Sequence, residues 1–361
     1  MIKNETMTYS LEPDEKDAAE RLRAFWAGSS LGRPALHVLV RRPGVASGPP
    51  WPEAEADRMR EDLSPAWHAQ AHGPEFEPFD YLAEAMPGHH VMWGACLTTL
   101  PALAGGDYGY TSQSAWIKPI PNVYERPVPR FDPSDPVCRR LEACYEAVKQ
   151  AVGNRGFVTP PLMLDGLTTL SEFRTQAQLC FDLLERPDDV KAWASALNTM
   201  YIEIYEHFYT RYSPGRSLCF FGPMAEGRSE GVQCDFAVML SPEMFTEFVL
   251  PDLRRVTDYL DFSLYHLDGV AQMRFLDQLQ QCPKLNGIQW NPERDFGKPS
   301  RFYNELREIR RRNLCLYVAC ADVSEAVALT REIGPDGLFL SLPAFDSVAE
   351  AEAAIKALSD V

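Results

Sequence analysis

CDFAVMLSPEMFTEFVLPDLRRVTDYLDFSLYHLDG, residues 234–269, is the stretch of sequence that decides the fold. Within it, Ser241, Pro242 and Glu243 predict a helix start, because a serine caps free N–H groups and a proline at the first helical position has none to leave unpaired. The apolar residues at 262–265 predict a strand that ends in the polar turn His266-Leu267-Asp268-Gly269. A second strand at 285–290 ends in Asn291. The stretch therefore predicts helices and strands in alternation, with polar groups where the strands end.

The same alternation continues on both sides of this stretch. Strands separated by ten to twenty residues of helical sequence indicate parallel strand–helix units, and the close repeat favours a barrel over an open sheet. A 23-residue apolar stripe of helical spacing at 187–209 predicts a long helix that covers the sheet. The predicted strands are 35–40, 157–164, 217–222, 262–266, 286–290, 314–319 and 337–341.

Composition limits the class of protein. The chain has 361 residues, 45% of them hydrophobic, and a net charge of −16. Such a chain can bury one large core, and its acidic balance argues against nucleic acid or an anionic membrane as a partner. The sequence lacks an apolar leader and a long apolar run, so a cytoplasmic protein is expected. Nine cysteines without a CxxC pair predict reduced thiols rather than a disulfide framework.

The stretch also resembles a known family. Ser241-Pro242-Glu243-Met244-Phe245 with Pro251, the turn at 266–269 and Ile288-Gln289-Trp290 are similar to the uroporphyrinogen decarboxylase superfamily. That superfamily includes the decarboxylase of haem synthesis and the zinc- and corrinoid-linked methyltransferases. The resemblance implies an α/β protein with one (β/α)8 TIM barrel. The expected organisation is a single barrel domain over 1–361, with an N-terminal helical extension, long loops over the barrel mouth at about 42–90 and 94–136, and pairing into a homodimer.

His266 and Asp268 are the sharpest candidate site residues. Residues two apart on an extended segment point the same way, so an imidazole and a carboxylate could converge on one Zn²⁺ or one substrate proton. The alternative is a purely structural hydrogen bond between the two. In related zinc methyltransferases the turn is similar to His-x-Cys-Gly, with a further cysteine near the last strand. Here Asp268 replaces the first cysteine and Ser341 stands in the last strand, which argues against a thiolate-rich site.

Further candidates follow from the rule that barrel active sites lie where the strands end. Cys320 is a third candidate metal ligand, and Asp235 is a candidate base, metal ligand or arginine partner. Each has a plainer interpretation, a buried small residue for Cys320 and an exposed loop acid for Asp235. The candidate substrate-binding residues are Arg228, Gln289, Trp290 and Trp93. Arg228 could hold a carboxylate or phosphate, or it could be a solvated loop arginine. The other three could line the pocket, although the two tryptophans could equally be core residues.

Three functions compete at this stage. The first is methyl transfer, with zinc held by His266, Asp268 and Cys320 and with methylcobalamin carried by a partner corrinoid protein. The second is decarboxylation of a tetrapyrrole or another carboxylate without a cofactor. Against it, the sequence lacks the arginine-rich motif expected after the first strand. The third is a non-catalytic barrel that binds a small molecule. The sequence favours an enzyme, and a methyltransferase over a decarboxylase.

Overall fold

The computed structural model describes residues 13–45, 64–72, 78–91, 96–110, 115–219 and 222–361. Within these residues there are thirteen strands and thirteen α-helices. The strands are β1 Ala35–Arg41, β2 Phe79–Ala83, β3 Gly88–His90, β4 Tyr108–Tyr110, β5 Ala115–Ile117, β6 Phe157–Thr159, β7 Ser217–Leu218, β8 Met224–Ala225, β9 Ser229–Val232, β10 Phe262–Asp268, β11 Gly287–Asn291, β12 Cys315–Ala319 and β13 Leu338–Ser341. The helices are α1 Pro13–Trp26, α2 Pro65–His72, α3 Cys96–Leu103, α4 Pro136–Val152, α5 Gly166–Arg174, α6 Gln176–Glu185, α7 Pro187–Tyr212, α8 Pro242–Phe248, α9 Leu250–Tyr259, α10 Leu276–Leu279, α11 Tyr303–Arg311, α12 Val323–Ile333 and α13 Val348–Ser359.

One sheet of seven strands carries the site. Its order is β2-β1-β13-β12-β11-β10-β9, and every pairing in it is parallel except the edge pairing of β2 with β1. Helices connect the successive parallel strands from β9 to β13, as parallel pairing requires. In the described residues the remaining strands form three separate pairs, β3 with β6, β4 with β5 and β7 with β8. The hydrogen bonds of the described strands do not join these sheets into one ring.

The helix boundaries follow their sequence signals. Ser241 caps α8, and its hydroxyl accepts a hydrogen bond from the Met244 N–H at 3.2 Å. The helical segment is interrupted near Pro251, since α8 ends at Phe248 and α9 begins at Leu250. The predicted long helix is α7, which extends three residues further than expected, to Tyr212. None of the described helices is long and apolar enough to cross a membrane.

Helix α1 packs against the amino ends of the sheet strands. Phe25 contacts Phe339 with ring centroids 5.5 Å apart, and Trp26 contacts Phe262 at 5.2 Å. The Trp26 indole N–H donates to the Met224 carbonyl at 2.8 Å. This apolar cover occupies the amino edge of the sheet and leaves the carboxyl edge to polar groups.

The region 42–90 differs from the expected loop. Its described part contains α2, the edge strand β2 and strand β3, whereas 46–63 and 73–77 lie outside the described residues. Strand β2 pairs with all of the residues from His37 to Arg41. The sequence did not predict β9 either. This strand pairs with β10 and forms one edge of the seven-stranded sheet.

Candidate metal centre at the carboxyl ends of the strands

Three site residues predicted from the sequence come together in the structure. One ligand atom from each of Asp235, His266 and Asp268 lies within 4.8 Å of the others. Asp235 follows β9 and begins a short 3₁₀ helix, while His266 and Asp268 are two residues apart on β10 and therefore share one face of the sheet. The distance from His266 Nε2 to the nearer Asp268 carboxylate oxygen is 3.8 Å, too long for a hydrogen bond. The ligand atoms of the three side chains therefore lie around one point, and the contact between His266 Nε2 and Asp268 is not a hydrogen bond.

The neighbouring strand holds two of these side chains in position. The side-chain oxygen of Gln289 forms a short hydrogen bond with His266 Nδ1. Because an amide oxygen can only accept, this contact places the proton on Nδ1 and turns Nε2 toward Asp268. The Asn291 amide donates to Asp268 at 2.7 Å. Gln289 and Asn291 are the register partners of His266 and Asp268, so the β10–β11 pairing itself fixes this arrangement.

Asp235 carries an oxygen that nothing satisfies in the described part of the chain. Its Oδ1 is buried and has no hydrogen-bond partner there. Burial raises the pKa of Asp235, the Asp268 carboxylate raises it further, and His266 opposes the rise. A buried carboxylate oxygen without a donor is unstable unless a proton or a cation compensates it. The donor set of one imidazole and two carboxylates suits a divalent transition metal such as Zn²⁺, so the residues fit a metal ion.

More carboxylates surround the three. Asp165 caps α5 by accepting from the Leu167 and Thr168 N–H groups at 2.9 and 3.1 Å. Burial raises the pKa of Asp165 to about 6, with a further contribution from Asp235, and burial likewise raises the pKa of Glu172. Asp165 also lines a small cleft between the sheet and helices α7 and α9. The local charge is therefore strongly negative.

The strand register extends the site across the sheet. One register row crosses five strands and consists of Ala35, Phe339, Tyr317, Gln289 and His266. His37 lies two residues beyond this row on β1, as Asp268 does on β10, so both face the same side. Burial lowers the pKa of His37 to about 4, which keeps the ring neutral at pH 7. In the described residues its ring has no hydrogen-bond partner.

Sequence reasoning missed His37 and Asn291. Asn291 directly follows a nominated residue, and its pairing with Asp268 is visible only in the register. The residues on either side of His37 in its strand, Ala35–Arg41, are apolar, so the sequence offers no polar partner that would point to it. A search for histidines that share a sheet face with His266 would have found it.

The structure places two other candidates away from this point. Trp290 is 2% exposed and packs edge-on against Phe302 at 5.4 Å, on the opposite side of β11 from Gln289. Cys320 is 4% exposed in the core and does not belong to the group of three, and burial raises the pKa of its thiol. These two positions match the plainer core interpretations. Trp93 lies outside the described residues.

Arg228 requires a correction, because it lies at the opposite edge of the sheet. It precedes the first residue of β9, and its carbonyl accepts from the N–H of Phe262, the first residue of β10. Its guanidinium forms two hydrogen bonds with Glu206, at 2.9 and 3.1 Å, and stacks over Tyr209 and Tyr259. The hydrogen bonds with Glu206 and the contact with Tyr259 raise the pKa of Arg228, and the contacts together hold it at the amino edge, away from the carboxyl ends of the strands.

Arg228→Ala is expected to destabilise the protein by about 1 kcal/mol, as expected for a partly exposed ion pair with good geometry, and to leave metal affinity unchanged. The measurement is urea denaturation combined with a metal titration of the same variant. A fall in metal affinity at full stability would instead place Arg228 in the binding machinery.

The fold is shared with a solved structure. A methyltransferase from Methanosarcina mazei superposes with a TM-score of 0.60 and 16% sequence identity, over 95% of this chain and 98% of that chain. No protein-family model matches the chain, and no curated protein matches it either. Fold and site together define a mixed α/β protein with a methyltransferase-like fold and a carboxylate–histidine cluster where the parallel strands end.

Proposed function

We propose that this protein is a metal-dependent methyltransferase of the uroporphyrinogen decarboxylase superfamily, with one divalent ion held by Asp235, His266 and Asp268. The observation that carries the proposal is the convergence of these three side chains around the unpartnered oxygen of Asp235. The likeness in fold to a methyltransferase supports the class of enzyme. We further propose that the sheets close into a (β/α)8 barrel that forms a single domain.

The donor set favours zinc with an open coordination position. Catalytic zinc sites use three protein ligands and leave the fourth position to water or substrate. When bound, the ion lowers the pKa of a thiol or water ligand, so that the reactive anion exists at neutral pH. Two carboxylates balance the charge of a divalent ion at this site. They take the place of the cysteine thiolates found in the related zinc methyltransferases.

The chain's own residues supply orientation and charge. Gln289 keeps the proton of His266 on Nδ1, which leaves Nε2 as the donor atom. Asn291 fixes one oxygen of Asp268. The neutral ring of His37 offers a hydrogen-bonding group on the same face without adding charge. We propose that a corrinoid protein delivers the methyl group to this face and that the enzyme forms a homodimer.

The charge of the site distinguishes the competing functions. A tetrapyrrole decarboxylase must hold several substrate carboxylates and needs basic groups to do so. Besides His266, the charged side chains of the described residues that act on Asp235 are the carboxylates Asp165, Glu172 and Asp268, which repel such a substrate. This electrostatic pattern supports a cation-binding centre over a decarboxylase.

Methyl transfer from methylcobalamin to small thiols tests the function directly. We expect zinc-loaded protein to consume methylcobalamin in the presence of a thiol acceptor, and Asp235→Asn to lose that activity. Asp261→Asn is the matched control, because Asp261 is a half-exposed acid at the opposite edge of the sheet. A zinc-loaded protein that binds methylcobalamin and thiol without reaction would contradict the proposal.

Gln289→Leu and Asn291→Ala are expected to weaken metal affinity by roughly 10- to 100-fold each, because outer hydrogen bonds orient metal ligands. Isothermal titration with Zn²⁺ measures the effect, and circular dichroism checks that the variants fold. Unchanged affinity in both variants would show that the register pairing of β10 with β11 does not position the ligands.

A further inference from the structure

A second cluster of potential ligands lies between two helices outside the main sheet. Cys138 and Glu142 are one turn apart on α4, so they share one face of that helix. His207 faces them from α7. One ligand atom from each of the three lies within 4.8 Å of the others. The cluster shares no residue with the centre at the strand ends.

We propose that Cys138, Glu142 and His207 form a second metal site, for a thiophilic divalent ion of the Zn²⁺ or Cd²⁺ type that links α4 to α7. The proposal does not rest on the methyltransferase function. A thiolate, an imidazole and a carboxylate form a donor set that zinc accepts in proteins.

The geometry is nearly prepared for an ion. His207 Nε2 lies 2.8 Å from Glu142 Oε1, and ligand atoms around a tetrahedral ion with bonds of about 2.0 to 2.1 Å are roughly 3.3 Å apart. The required opening is therefore about half an ångström. Tyr145 packs on Phe208 and Tyr212 with centroids 4.6 and 4.8 Å apart, which fixes the two helices next to the cluster.

Binding exchanges a proton for a metal ion. Cys138 is fully buried as a thiol, and burial together with the Glu142 charge raises its pKa to about 12. The S–H bond breaks as the metal–sulfur bond forms, and the proton passes to solvent through buffer. The side chains of Glu142 and His207 are 11% and 17% exposed, so water can reach the remaining coordination position.

Two arginines donate hydrogen bonds to the Glu142 carboxylate. Arg139 donates to one carboxylate oxygen at 3.2 Å, and Arg211 donates to the other at 3.1 Å. Their side chains are 59% and 52% exposed, which leaves them room to swing into solvent. They oppose metal binding by charge, so Arg211→Gln is expected to tighten it several-fold. A purely structural ion-pair network predicts no such gain.

Cobalt titration of the full-length protein separates the two sites, because of the two clusters only the one at Cys138 contains a cysteine. We expect a thiolate-to-Co²⁺ charge-transfer band that disappears in Cys138→Ser and persists in His266→Ala. Glu142→Gln keeps the side-chain volume and should weaken metal binding by roughly 100-fold or more. This is a larger loss than is typical for a residue that only hydrogen-bonds to a metal ligand. Cys144→Ser is the control, because Cys144 is an equally buried thiol on the same helix.

The outcomes are decisive for the second site alone. Loss of the band in Cys138→Ser, its retention in Cys144→Ser and tighter binding in Arg211→Gln establish the site. Absence of the band in folded wild-type protein overturns it, and so does a band that survives in Cys138→Ser. Circular dichroism of each variant confirms that the chain is folded.

Discussion

His266→Ala is expected to remove one divalent ion per chain relative to wild type and to abolish methyl transfer. His266 supplies the only nitrogen among the three ligands at the strand ends, and its loss leaves two carboxylates, which repel each other when no ion lies between them. We expect metal affinity at this centre to fall by at least about 100-fold, more than the loss of an outer hydrogen bond causes. Elemental analysis of dialysed protein and zinc titration measure the change.

Asp261→Asn is the control for this experiment as well, because it changes a carboxylate at the amino edge, where it accepts from the Arg228 N–H. Its metal content should equal that of wild type. Retention of the ion by folded His266→Ala protein would remove His266 from the ligand set and would contradict the proposed centre.

Acidification is expected to destabilise the protein between pH 6.5 and pH 4 through two buried histidines. Burial lowers the pKa of His37 and of His90 from 6.5 to about 4. In this window the unfolded chain takes up protons that the folded rings exclude, so stability falls as the pH falls and is fully present above pH 6.5. Each ring contributes on the order of 3 kcal/mol at about 1.4 kcal/mol per pKa unit.

Carboxylates with raised pKa values act in the opposite direction, as Asp165 illustrates with a pKa of about 6. A comparison of His37→Gln and His90→Gln with wild type cancels these common contributions. Urea denaturation from pH 8 to pH 4.5 should give a shallower fall in each variant, while pH 8 measures the packing loss alone. Parallel pH profiles, or ring titrations near pH 6.5 by NMR, would show that the histidines are not excluded from protonation.

Strong local signals made much of the fold predictable. Ser241 and Pro242 form a strong local signal for a helix start, and the apolar strands β10 to β13 alternate with helices as the sequence indicates. His266 and Asp268 were predictable as a pair, because residues two apart on a strand share a face whatever the strand's neighbours are. Closure of the sheets into a barrel remains a prediction.

The sequence of strand β9 explains why Arg228 was predicted at the wrong edge of the sheet. Its sequence, Ser229–Val232, contains serine, glutamate and glycine and lacks the apolar alternation of a strand, although all four residues are buried. The segment from 222 to 235 therefore looked like one loop at the strand ends. In the structure β9 separates Arg228 from Asp235, and four strand residues span about 13 Å. One residue thus lies at the amino edge and the other in the site.

Register explains what else the sequence could not provide. Asn291 contributes to the site only because β10 and β11 pair it with Asp268. His37 lies on the same face only because the pairing of five strands puts it two residues beyond the register row that contains Ala35 and His266. Cys320 follows a strand as expected, yet its side chain is buried in the core. Position along a strand predicts nearness to the carboxyl edge of the sheet, whereas the direction in which a side chain faces depends on strand pairing.

Anomalous diffraction at the zinc absorption edge, from crystals of the full-length protein grown with Zn²⁺, tests the central claim most directly. We predict a peak bounded by Asp235, His266 and Asp268 that is absent from crystals of His266→Ala. A wild-type crystal with these three side chains ordered as described and no anomalous peak between them would contradict the metal centre.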